Sequence, residues 1–415
     1  MNYESHYNNY IEFNGRKTIY NALYKSSITV EDVDTIKKLI DANDEEAIST
    51  LKGIGMIVSE HPTEAEILRY LFNKSYFGGN RFLNIVLVPS LDCNFKCPYC
   101  FEKVDGNDNL FNTNLEHYFQ TIKQFANFNF PAYDNVEISL FGGEPLLFAD
   151  RIFDFFGYID STVPNTPYIS SIVTNGALLD EKTTEKLIRF HCRSIQITID
   201  GNKKIHDENR IFKNGRVSYD LLIENISKII SLLPNECQFN LRINLNNVSA
   251  SQVESTLLDI DPNLRSKIKI LFRPIYNTDS FKQNNENKFS ELKSFLDMAI
   301  KMGFDIVRNT YYYQACESCS GENFFFIMPD LSIWKCINDI NFTDARVGEI
   351  GDDGKIRFDA DKLVKWYGYS NCFHSAECKQ CKMLPDCFGG CVLYHAKNGH
   401  HSCKEFDMAV LPYLY

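Results

Sequence analysis

The sequence predicts an α/β protein built around a sheet of parallel strands that is curved or partly closed into a barrel. Six segments rich in β-branched and aromatic residues recur between residues 81 and 275, and helical patterns lie between them. Strands that alternate with helices form right-handed β/α units, whose strands pair in parallel. The candidate strands are Leu83–Val88, Val136–Phe141, Ile169–Thr174, Ser194–Ile199, Phe239–Leu245 and Ile268–Arg273.

Residues 1–80 are predicted to form a separate small unit before this sheet. Short strands at Tyr10–Glu12 and Thr18–Tyr24 flank an Asn-Gly turn. Helices follow at Val30–Ile40 and Glu45–Leu51, and a further strand follows at Met56–Val58. The order of elements is similar to a winged helix. Because no basic recognition face is visible, we expect this unit to bind a peptide or to act as a scaffold rather than to bind DNA.

The rest of the chain divides into three predicted parts. Residues 81–275 hold the sheet, and their clearest helices are Glu181–Phe190 and Tyr219–Leu233. Residues 276–310 form a bridging loop and a helix, and residues 311–415 form a cysteine-rich unit. Within that last unit, Ile327 and Trp334 lie on the two arms of a predicted hairpin with a cysteine at each end.

Composition and charge exclude several classes of function. The chain has 415 residues, of which 44% are hydrophobic and 23% charged, and its net charge is −11. An acidic balance disfavours binding to a nucleic-acid backbone. No apolar run approaches the length of a membrane helix, and no secretory signal is visible, so we expect a cytoplasmic protein without a membrane partner.

The cysteines are numerous and clustered. There are 14, of which three lie between residues 93 and 100 and nine lie between residues 316 and 403. Clustered cysteines without a secretory signal indicate metal or iron–sulfur ligands rather than disulfides. Cys192 and Cys237 stand alone in strand-like segments, where we expect them to be buried as small hydrophobic residues.

The first cysteine cluster follows the first candidate strand. Cys93, Cys97 and Cys100 are spaced as C-x3-C-x2-C. Three thiolates hold three irons of a cubane and leave the fourth iron open to a small molecule, which indicates a catalytic cluster. The alternative is a zinc site, which needs a fourth ligand, such as Asp92.

Polar motifs follow the next three candidate strands. Because chemistry at parallel sheets sits at the carboxyl ends of the strands, these motifs are expected to meet there. Gly142 and Gly143 allow the backbone to approach a ligand closely, and Glu144 offers an acceptor to an ammonium group. The alternative is that these residues only form a turn between a strand and a helix. The motifs are Gly142-Gly143-Glu144-Pro145, Thr174-Asn175-Gly176 and Thr198-Ile199-Asp200-Gly201, followed by His206, Asp207 and Arg210.

Together these motifs resemble the radical S-adenosylmethionine superfamily. The resemblance implies a partial (β/α)6 barrel and a 4Fe-4S cluster on Cys93, Cys97 and Cys100. It also implies reductive cleavage of S-adenosylmethionine to a 5′-deoxyadenosyl radical that abstracts a hydrogen atom. The residues expected by resemblance at the S-adenosylmethionine site are Tyr99, Gly142, Gly143, Glu144, Asn175, Thr198 and Arg210.

The C-terminal cysteines resemble a SPASM domain, which binds two auxiliary 4Fe-4S clusters. The resemblance implies a first cluster on Cys316, Cys319, Cys336 and Cys391, and a second on Cys378, Cys381, Cys387 and Cys403. Three clusters are therefore expected in all. Cys372 is unassigned, and an open iron in the first auxiliary cluster is an alternative to full coordination by protein ligands. A zinc site on Cys316, Cys319, Cys378 and Cys381 is the alternative.

The resemblance extends to enzymes that mature ribosomally made peptides by forming thioether or carbon–carbon crosslinks. It implies a precursor peptide with a leader, and an electron donor such as flavodoxin or ferredoxin. The alternatives are an anaerobic sulfatase-maturating enzyme that forms formylglycine, and a cysteine-rich zinc or electron-transfer scaffold. Sulfatase-maturating enzymes carry Asp where Ile337 follows Cys336 here. Glu102 and Asp339 are candidates for a catalytic base.

Overall fold

The computed structural model describes residues 2–13, 15–59, 62–77, 81–102, 114–245, 248–273, 288–307, 319 and 321–401. The chain groups into two compact units that do not follow chain order. The terminal unit comprises Met1–Asn80, Arg308–Glu322 and Val364–Tyr415, and the sheet unit comprises Arg81–Val307 and Asn323–Leu363. The four-part domain division expected from the sequence stays a prediction.

The N-terminal part of the terminal unit contains two small antiparallel sheets and three helices. Strands β2, β3 and β4 form one sheet, and β1 pairs with β5. Their core includes Ile19, Ile36 and Met56, each fully buried. The predicted hairpin and the helix at residue 45 are present, whereas β1, β4 and α3 were missed. The elements are β1 (Asn2–Glu4), β2 (Asn8–Phe13), β3 (Arg16–Asn21), β4 (Ser26–Thr29), α1 (Thr35–Asp41), α2 (Glu45–Gly53), β5 (Ile57–Ser59) and α3 (Glu64–Phe77).

The sheet unit is built on parallel strands that pair in the order in which they occur along the chain. Each neighbouring pair from β6 to β12 is parallel, and the six predicted strands are confirmed within two residues. The strands are β6 (Phe82–Leu87), β7 (Asn135–Leu140), β8 (Tyr168–Thr174), β9 (Cys192–Ile199), β10 (Gln238–Asn244), β11 (Ile268–Arg273) and β12 (Asp305–Ile306).

Sequential order with right-handed connections places the connecting helices on one face of the sheet. The opposite face and the carboxyl-end edge are therefore left for a site, as in a β/α barrel. The helices predicted at residues 181, 219 and 288 begin where expected. The helices are α4 (Leu115–Asn129), α5 (Ala149–Thr162), α6 (Glu181–Arg189), α7 (Lys203–Asn209), α8 (Tyr219–Ile230), α9 (Ala250–Leu258) and α10 (Lys288–Lys301).

Aromatic packing fixes the helix layer to the sheet. The ring of Phe156 on α5 stacks on Tyr168 of β8 at 5.7 Å and on Phe190 at 5.5 Å. Phe153 stacks on Phe190 at 5.9 Å, so three phenylalanines and one tyrosine form a continuous apolar layer. Offset stacking of this kind adds to the free energy gained by burying the rings.

The chain after α10 extends the sheet on its other side. Strand β13 pairs in parallel with β6, and β14, β15 and β16 follow antiparallel, so that the full sheet has 11 strands. The hairpin predicted between Ile327 and Trp334 is confirmed. The remaining elements are β13 (Phe324–Ile327), β14 (Ser332–Trp334), β15 (Arg346–Ile350), β16 (Ile356–Phe358), α11 (Ala360–Ser370), α12 (Ala376–Gln380), α13 (Leu384–Cys387) and α14 (Val392–Asn398). Among the helices of the described residues, none has both the length and the hydropathy needed to cross a membrane.

Candidate active site

The cysteine triplet lies on the loop after β6, at the carboxyl-end edge of the sheet. The sulfur of Cys93 accepts the Phe95 N–H at 3.4 Å and the Asn175 side-chain amide at 3.7 Å. Burial raises the pKa of the Cys93 thiol, and Glu144 and Cys97 add to the shift. Burial, with Glu102 as the next contributor that raises it, brings the pKa of Cys100 to about 12. A bound metal centre would reverse these shifts, because coordination requires the thiolate.

The donor chemistry of this loop fits an iron–sulfur cluster. It offers three soft sulfur ligands, and N–H groups that stabilise negative charge on sulfur surround one of them. Within the described ranges, no three His, Cys, Asp or Glu side chains are grouped tightly enough to hold a single metal ion. Both zinc alternatives stay predictions, and one of them includes Cys316, which lies outside the described residues.

Gly142 and Gly143 let the end of β7 pack on the loop that leads into the cysteines. A Cβ on Gly142 would lie 2.5 Å from the Ser90 carbonyl oxygen, and one on Gly143 would lie 2.1 Å from that of Asp92. The φ of Gly142 is +120°, in a region that side-chain-bearing residues rarely adopt. The close approach that these glycines permit is therefore between two segments of the chain, and their contact with a cofactor stays a prediction.

Glu144 holds the end of β8 against the end of β7. Its carboxylate accepts hydrogen bonds from the Thr174 hydroxyl at 2.7 Å, the Leu146 N–H at 3.0 Å and the Asn175 N–H at 2.7 Å. The side chain is buried, which raises its pKa, while these three donors act in the opposite direction. A carboxylate has about four acceptor sites, so about one remains for a ligand ammonium group.

A buried polar network lies beside Glu144. The Tyr99 hydroxyl donates to Asp200, and the Asn244 amide donates to the other oxygen of Asp200 at 2.8 Å. The Arg210 guanidinium donates to the Tyr99 oxygen at 3.0 Å. The Arg210 Nε is buried with no hydrogen-bond partner within the described part of the chain. This network orients the Tyr99 ring, whose contact with S-adenosylmethionine stays a prediction.

Asp200 and Asn244 were not selected as site residues from the sequence. Asp200 was visible as the Asp-Gly that ends β9. Asn244 had a weaker signal, because it is the last of four polar residues that alternate with apolar ones along β10. Only the register of β10 against β9 brings the two side chains together.

The remaining predicted contact residues also lie at this edge. The Asn175 amide donates to the Asn94 side chain at 2.6 Å, which ties the end of β8 to the cysteine loop. Thr198 is buried on β9, opposite Arg242 of β10. The structure thus gathers Tyr99, Glu144, Asn175, Thr198 and Arg210 at one end of the sheet.

His206 and Asp207 have structural contacts. The His206 Nδ1 accepts the Asp200 N–H at 3.3 Å, and its Nε2 contacts the Ser218 hydroxyl at 3.0 Å. Asp207 accepts the backbone N–H groups of Ser218 and Tyr219, at 3.1 and 2.9 Å. Both side chains fix the start of α8 against the loop after β9.

The two candidates for a catalytic base differ in their surroundings. One carboxyl oxygen of Glu102 is buried and has no hydrogen-bond partner within the described part of the chain. Burial and the nearby Glu144 raise the pKa of Glu102 to about 8. Asp339 accepts the Asn341 N–H at 3.1 Å in a local turn. Both roles stay predictions, and Glu102 has the environment that favours proton exchange near neutral pH.

The C-terminal cysteines that the structure describes are divided between the two units. Cys319 and Cys391 belong to the terminal unit and Cys336 to the sheet unit. Cys316 and Cys403 lie outside the described residues. The clusters implied by the SPASM resemblance therefore stay predictions.

Cys372 is a neighbour of the second predicted ligand set. It is fully buried, which raises its pKa to about 12, and Cys378 and Cys387 contribute to that shift. A Cβ on Gly389, whose φ is +87°, would lie 2.9 Å from the Cys372 Cβ and 2.9 Å from the His401 ring. The Gly389 turn therefore packs directly against Cys372, a contact that the sequence did not indicate.

Residues 87–260 match the sequence profile of the Radical SAM superfamily. Among curated relatives, an uncharacterized protein of Methanocaldococcus jannaschii is 30% identical over 135 residues, covering 32% of this chain. The chain spans 44% of that relative, less than half its length. The cysteine-type anaerobic sulfatase-maturating enzyme of Clostridium novyi is 25% identical over 351 residues, covering 74% of this chain and 87% of the relative.

Two groups of solved structures share the fold. Native anSMEcpe with bound AdoMet has a TM-score of 0.58 at 19% identity, and the match covers 74% of this chain and 89% of that one. SuiB of Streptococcus suis bound to its precursor peptide SuiA has a TM-score of 0.53 at 16% identity, covering 96% of this chain and 98% of SuiB. At these identities the likeness concerns the fold.

Proposed function

We propose that this chain, a radical SAM enzyme by its domain at residues 87–260, matures a ribosomally made precursor peptide by forming an oxidative thioether or carbon–carbon crosslink. The observation that carries the proposal is the extent of the shared fold. SuiB, described with a bound precursor peptide, matches 96% of this chain, including residues outside the radical SAM domain. The anSMEcpe structure matches 74%.

The residues at the sheet edge support this chemistry. Cys93, Cys97 and Cys100 would hold the 4Fe-4S cluster, and Glu144 and Arg210 would orient the amino and carboxylate groups of S-adenosylmethionine. When bound, cluster and S-adenosylmethionine supply a radical that abstracts a hydrogen atom from the peptide. The buried Tyr99–Asp200 pair holds its side of the site rigid. Glu102, whose pKa burial raises to about 8, would take up the proton that crosslinking releases.

The crosslink test uses mass spectrometry of a short peptide encoded in the same operon and co-expressed with the enzyme under anaerobic conditions. We expect the peptide to lose two hydrogens for each bond formed. Cys97→Ala is expected to abolish both this loss and the release of 5′-deoxyadenosine, whereas Cys237→Ala, at a buried site outside the motifs, preserves them. Cleavage of S-adenosylmethionine with no peptide changed in mass would contradict the maturation proposal.

We further propose two auxiliary clusters, a leader-binding role for residues 1–80 and an electron donor such as flavodoxin or ferredoxin. Metal analysis of the anaerobically reconstituted chain tests the first part. Three 4Fe-4S clusters correspond to about twelve irons per chain, and the zinc content should be negligible. A content near four irons per chain would be consistent with the radical SAM cluster alone and would contradict the two auxiliary clusters.

Formylglycine formation on a sulfatase is the second candidate. It is favoured by the 25% identity to the sulfatase-maturating enzyme of Clostridium novyi over 351 residues. Ile337 after Cys336 is the residue that disfavours it. Incubation with a sulfatase-derived Cys or Ser peptide distinguishes the candidates, because only this activity produces an aldehyde.

A further inference from the structure

Cys372 is fully buried and begins a short helical turn that leads into α12. The chain from here to Cys387 is a run of tight turns. The Ser375 N–H donates to the Cys372 carbonyl at 3.2 Å, and the Cys381 N–H donates to the Cys378 carbonyl at 3.0 Å. Four cysteines therefore lie within a few helical turns of one another, all in the terminal unit.

The backbone after Cys387 folds back against Cys372. Phe388, Gly389 and Gly390 all have positive φ, at +42°, +87° and +76°. A Cβ on Gly389 would lie 2.9 Å from the Cys372 Cβ, so the close approach requires a glycine there. The two ends of the segment 372–387 therefore meet at Cys372.

The thiols of this segment are close enough to influence one another. Cys378 and Cys387 both raise the pKa of Cys372, in addition to the larger effect of its burial. Burial raises the pKa of the Tyr7 hydroxyl to about 12, with Cys381 and Cys372 among the further contributors. Ionisable groups act on each other in this way at short range. Cys372 thus lies among the described members of the second predicted ligand set.

This arrangement fits a cluster better than a single metal ion. Among the residues that the structure describes, no three His, Cys, Asp or Glu side chains converge as the ligands of one ion do. The four thiolates of a 4Fe-4S cubane each bind a different iron, so their sulfurs need not converge on one point.

The alternative role for Cys372 is packing as a small hydrophobic residue. Cys192 is an example of that role, because it is buried in the sheet unit, where its thiol hydrogen-bonds with Cys237. Cys372 differs from it, because the thiols that act on it, those of Cys378 and Cys387, both belong to a predicted ligand set. The surroundings of Cys372 therefore favour coordination over packing.

The second auxiliary cluster takes four protein ligands, and five cysteines are available for it. The resemblance gives the fourth place to Cys403, which lies sixteen residues after Cys387. Cys372 lies six residues before Cys378, within the hydrogen-bonded turns. Closing a shorter loop of chain costs less conformational entropy. Loop closure therefore favours Cys372 over Cys403.

We propose that Cys372 is the fourth ligand of the second auxiliary cluster, in the place that the resemblance gives to Cys403. The other three ligands stay those of the predicted set, Cys378, Cys381 and Cys387. On binding, the Cys372 thiol releases its proton and its sulfur forms one bond to iron, with no change in oxidation state. This inference rests on the auxiliary clusters of the proposed function and concerns which residues hold one of them.

The test counts iron and acid-labile sulfide in the full chain after anaerobic reconstitution. Cys372→Ala is expected to lower the content from about twelve to about eight irons per chain, because the second auxiliary cluster is lost. Cys403→Ala is expected to keep about twelve. Cys192→Ala, at another buried cysteine, is the matched control and also keeps about twelve.

Cys372→Ser separates coordination from packing. Serine has nearly the volume of cysteine, and its oxygen can bind iron in place of sulfur. We expect the cluster to be retained with an altered EPR spectrum of the dithionite-reduced chain, whereas Cys192→Ser leaves that spectrum unchanged. Where Cys372→Ala fails to fold, Cys372→Ser carries the test.

Two results would overturn the ligand role alone. One is a Cys372→Ala chain that keeps about twelve irons while Cys403→Ala loses about four, which would give the fourth place to Cys403. The other is a Cys372→Ser chain with an unchanged spectrum. An unmodified chain with only about four irons would contradict the auxiliary clusters and the ligand role together. A chain whose second cluster depends on Cys372 but that modifies no peptide would refute the maturation proposal alone.

Discussion

Asp200 is the side chain on which most of the polar site converges. Its two carboxylate oxygens accept from Tyr99 and Asn244, and its backbone N–H donates to His206. A buried carboxylate is costly unless its acceptors are satisfied. Burial raises the pKa of Asp200, while Arg210, Tyr99 and Asn244 act in the opposite direction.

Asp200→Asn is expected to lower the free energy of unfolding by about 1–3 kcal/mol, because an amide N–H would face donors that now meet a carboxylate oxygen. Urea unfolding of the anaerobically purified chain measures the change. Asp352→Asn is the matched control, since that side chain is 90% exposed. An equal decrease in the free energy of unfolding for the two variants would mean that the buried network does not stabilise the fold.

His206 should make the stability depend on pH. Burial holds the pKa of its imidazole well below the usual 6.5, and Arg210 adds to that. Below pH 6.5 the imidazole of His206 is protonated in the unfolded chain but stays neutral in the folded chain. The free energy of unfolding therefore falls as pH decreases, by up to about 1.4 kcal/mol per pH unit. His206→Gln should flatten this dependence between pH 5 and 6.5 in urea titrations. An unchanged slope would show that other groups cause it.

At the level of elements, the site depends on how closely the ends of neighbouring strands approach. The turn after β7 rests on the backbone of residues 90–92, immediately before Cys93. Glu144 and Asn175 add side-chain links from the ends of β7 and β8 to each other and to the cysteine loop. A change in one strand end is therefore transmitted directly to the thiols.

Gly143→Ala is expected to displace the cysteine loop, because the new Cβ would lie 2.1 Å from the Asp92 carbonyl oxygen. We expect a large loss of iron from the radical SAM cluster and of S-adenosylmethionine cleavage. Gly157→Ala is the matched control. That glycine lies within α5 with open space around its Cβ position, so alanine should stabilise the helix by up to about 1 kcal/mol. Normal iron content in Gly143→Ala would refute the contact.

At the level of the whole molecule, the terminal unit joins the two ends of the chain. The carboxylate of Asp386 is fully buried and forms a salt bridge with Lys25, and the Tyr20 hydroxyl donates to the same group at 3.4 Å. Phe72 on α3 also packs edge-on against Phe373 at 5.2 Å. Residues of the first eighty thus form part of the core around the C-terminal cysteines.

Lys25→Met is expected to destabilise the terminal unit by about 1–3 kcal/mol, because it leaves the buried Asp386 without its cation. Lys38→Met is the matched control, since Lys38 and its partner Asp32 are both exposed and such pairs contribute about 0–1 kcal/mol. Thermal unfolding of the loaded chain compares the two. Similar effects would mean that the Lys25–Asp386 pair does not hold the ends together.

Local sequence patterns were enough to predict the parallel sheet, its six principal strands and the cysteine triplet. Strand periodicity and the spacing of a short motif are local properties, encoded within ten or so residues. The β1–β5 pairing and the parallel pairing of β13 with β6 were not foreseen, because partners distant in sequence leave no local pattern.

The contacts of the buried polar residues depend on the packing of the whole sheet. The register of β10 and β11 brings Asn244 to Asp200 and sets Arg242 beside Arg273. The same packing brings Gly143 against the backbone of Asp92 and lets His206 accept a hydrogen bond from the Asp200 N–H. Each of these outcomes depends on distances between segments tens of residues apart, which the folding of the whole sheet fixes and no single segment encodes.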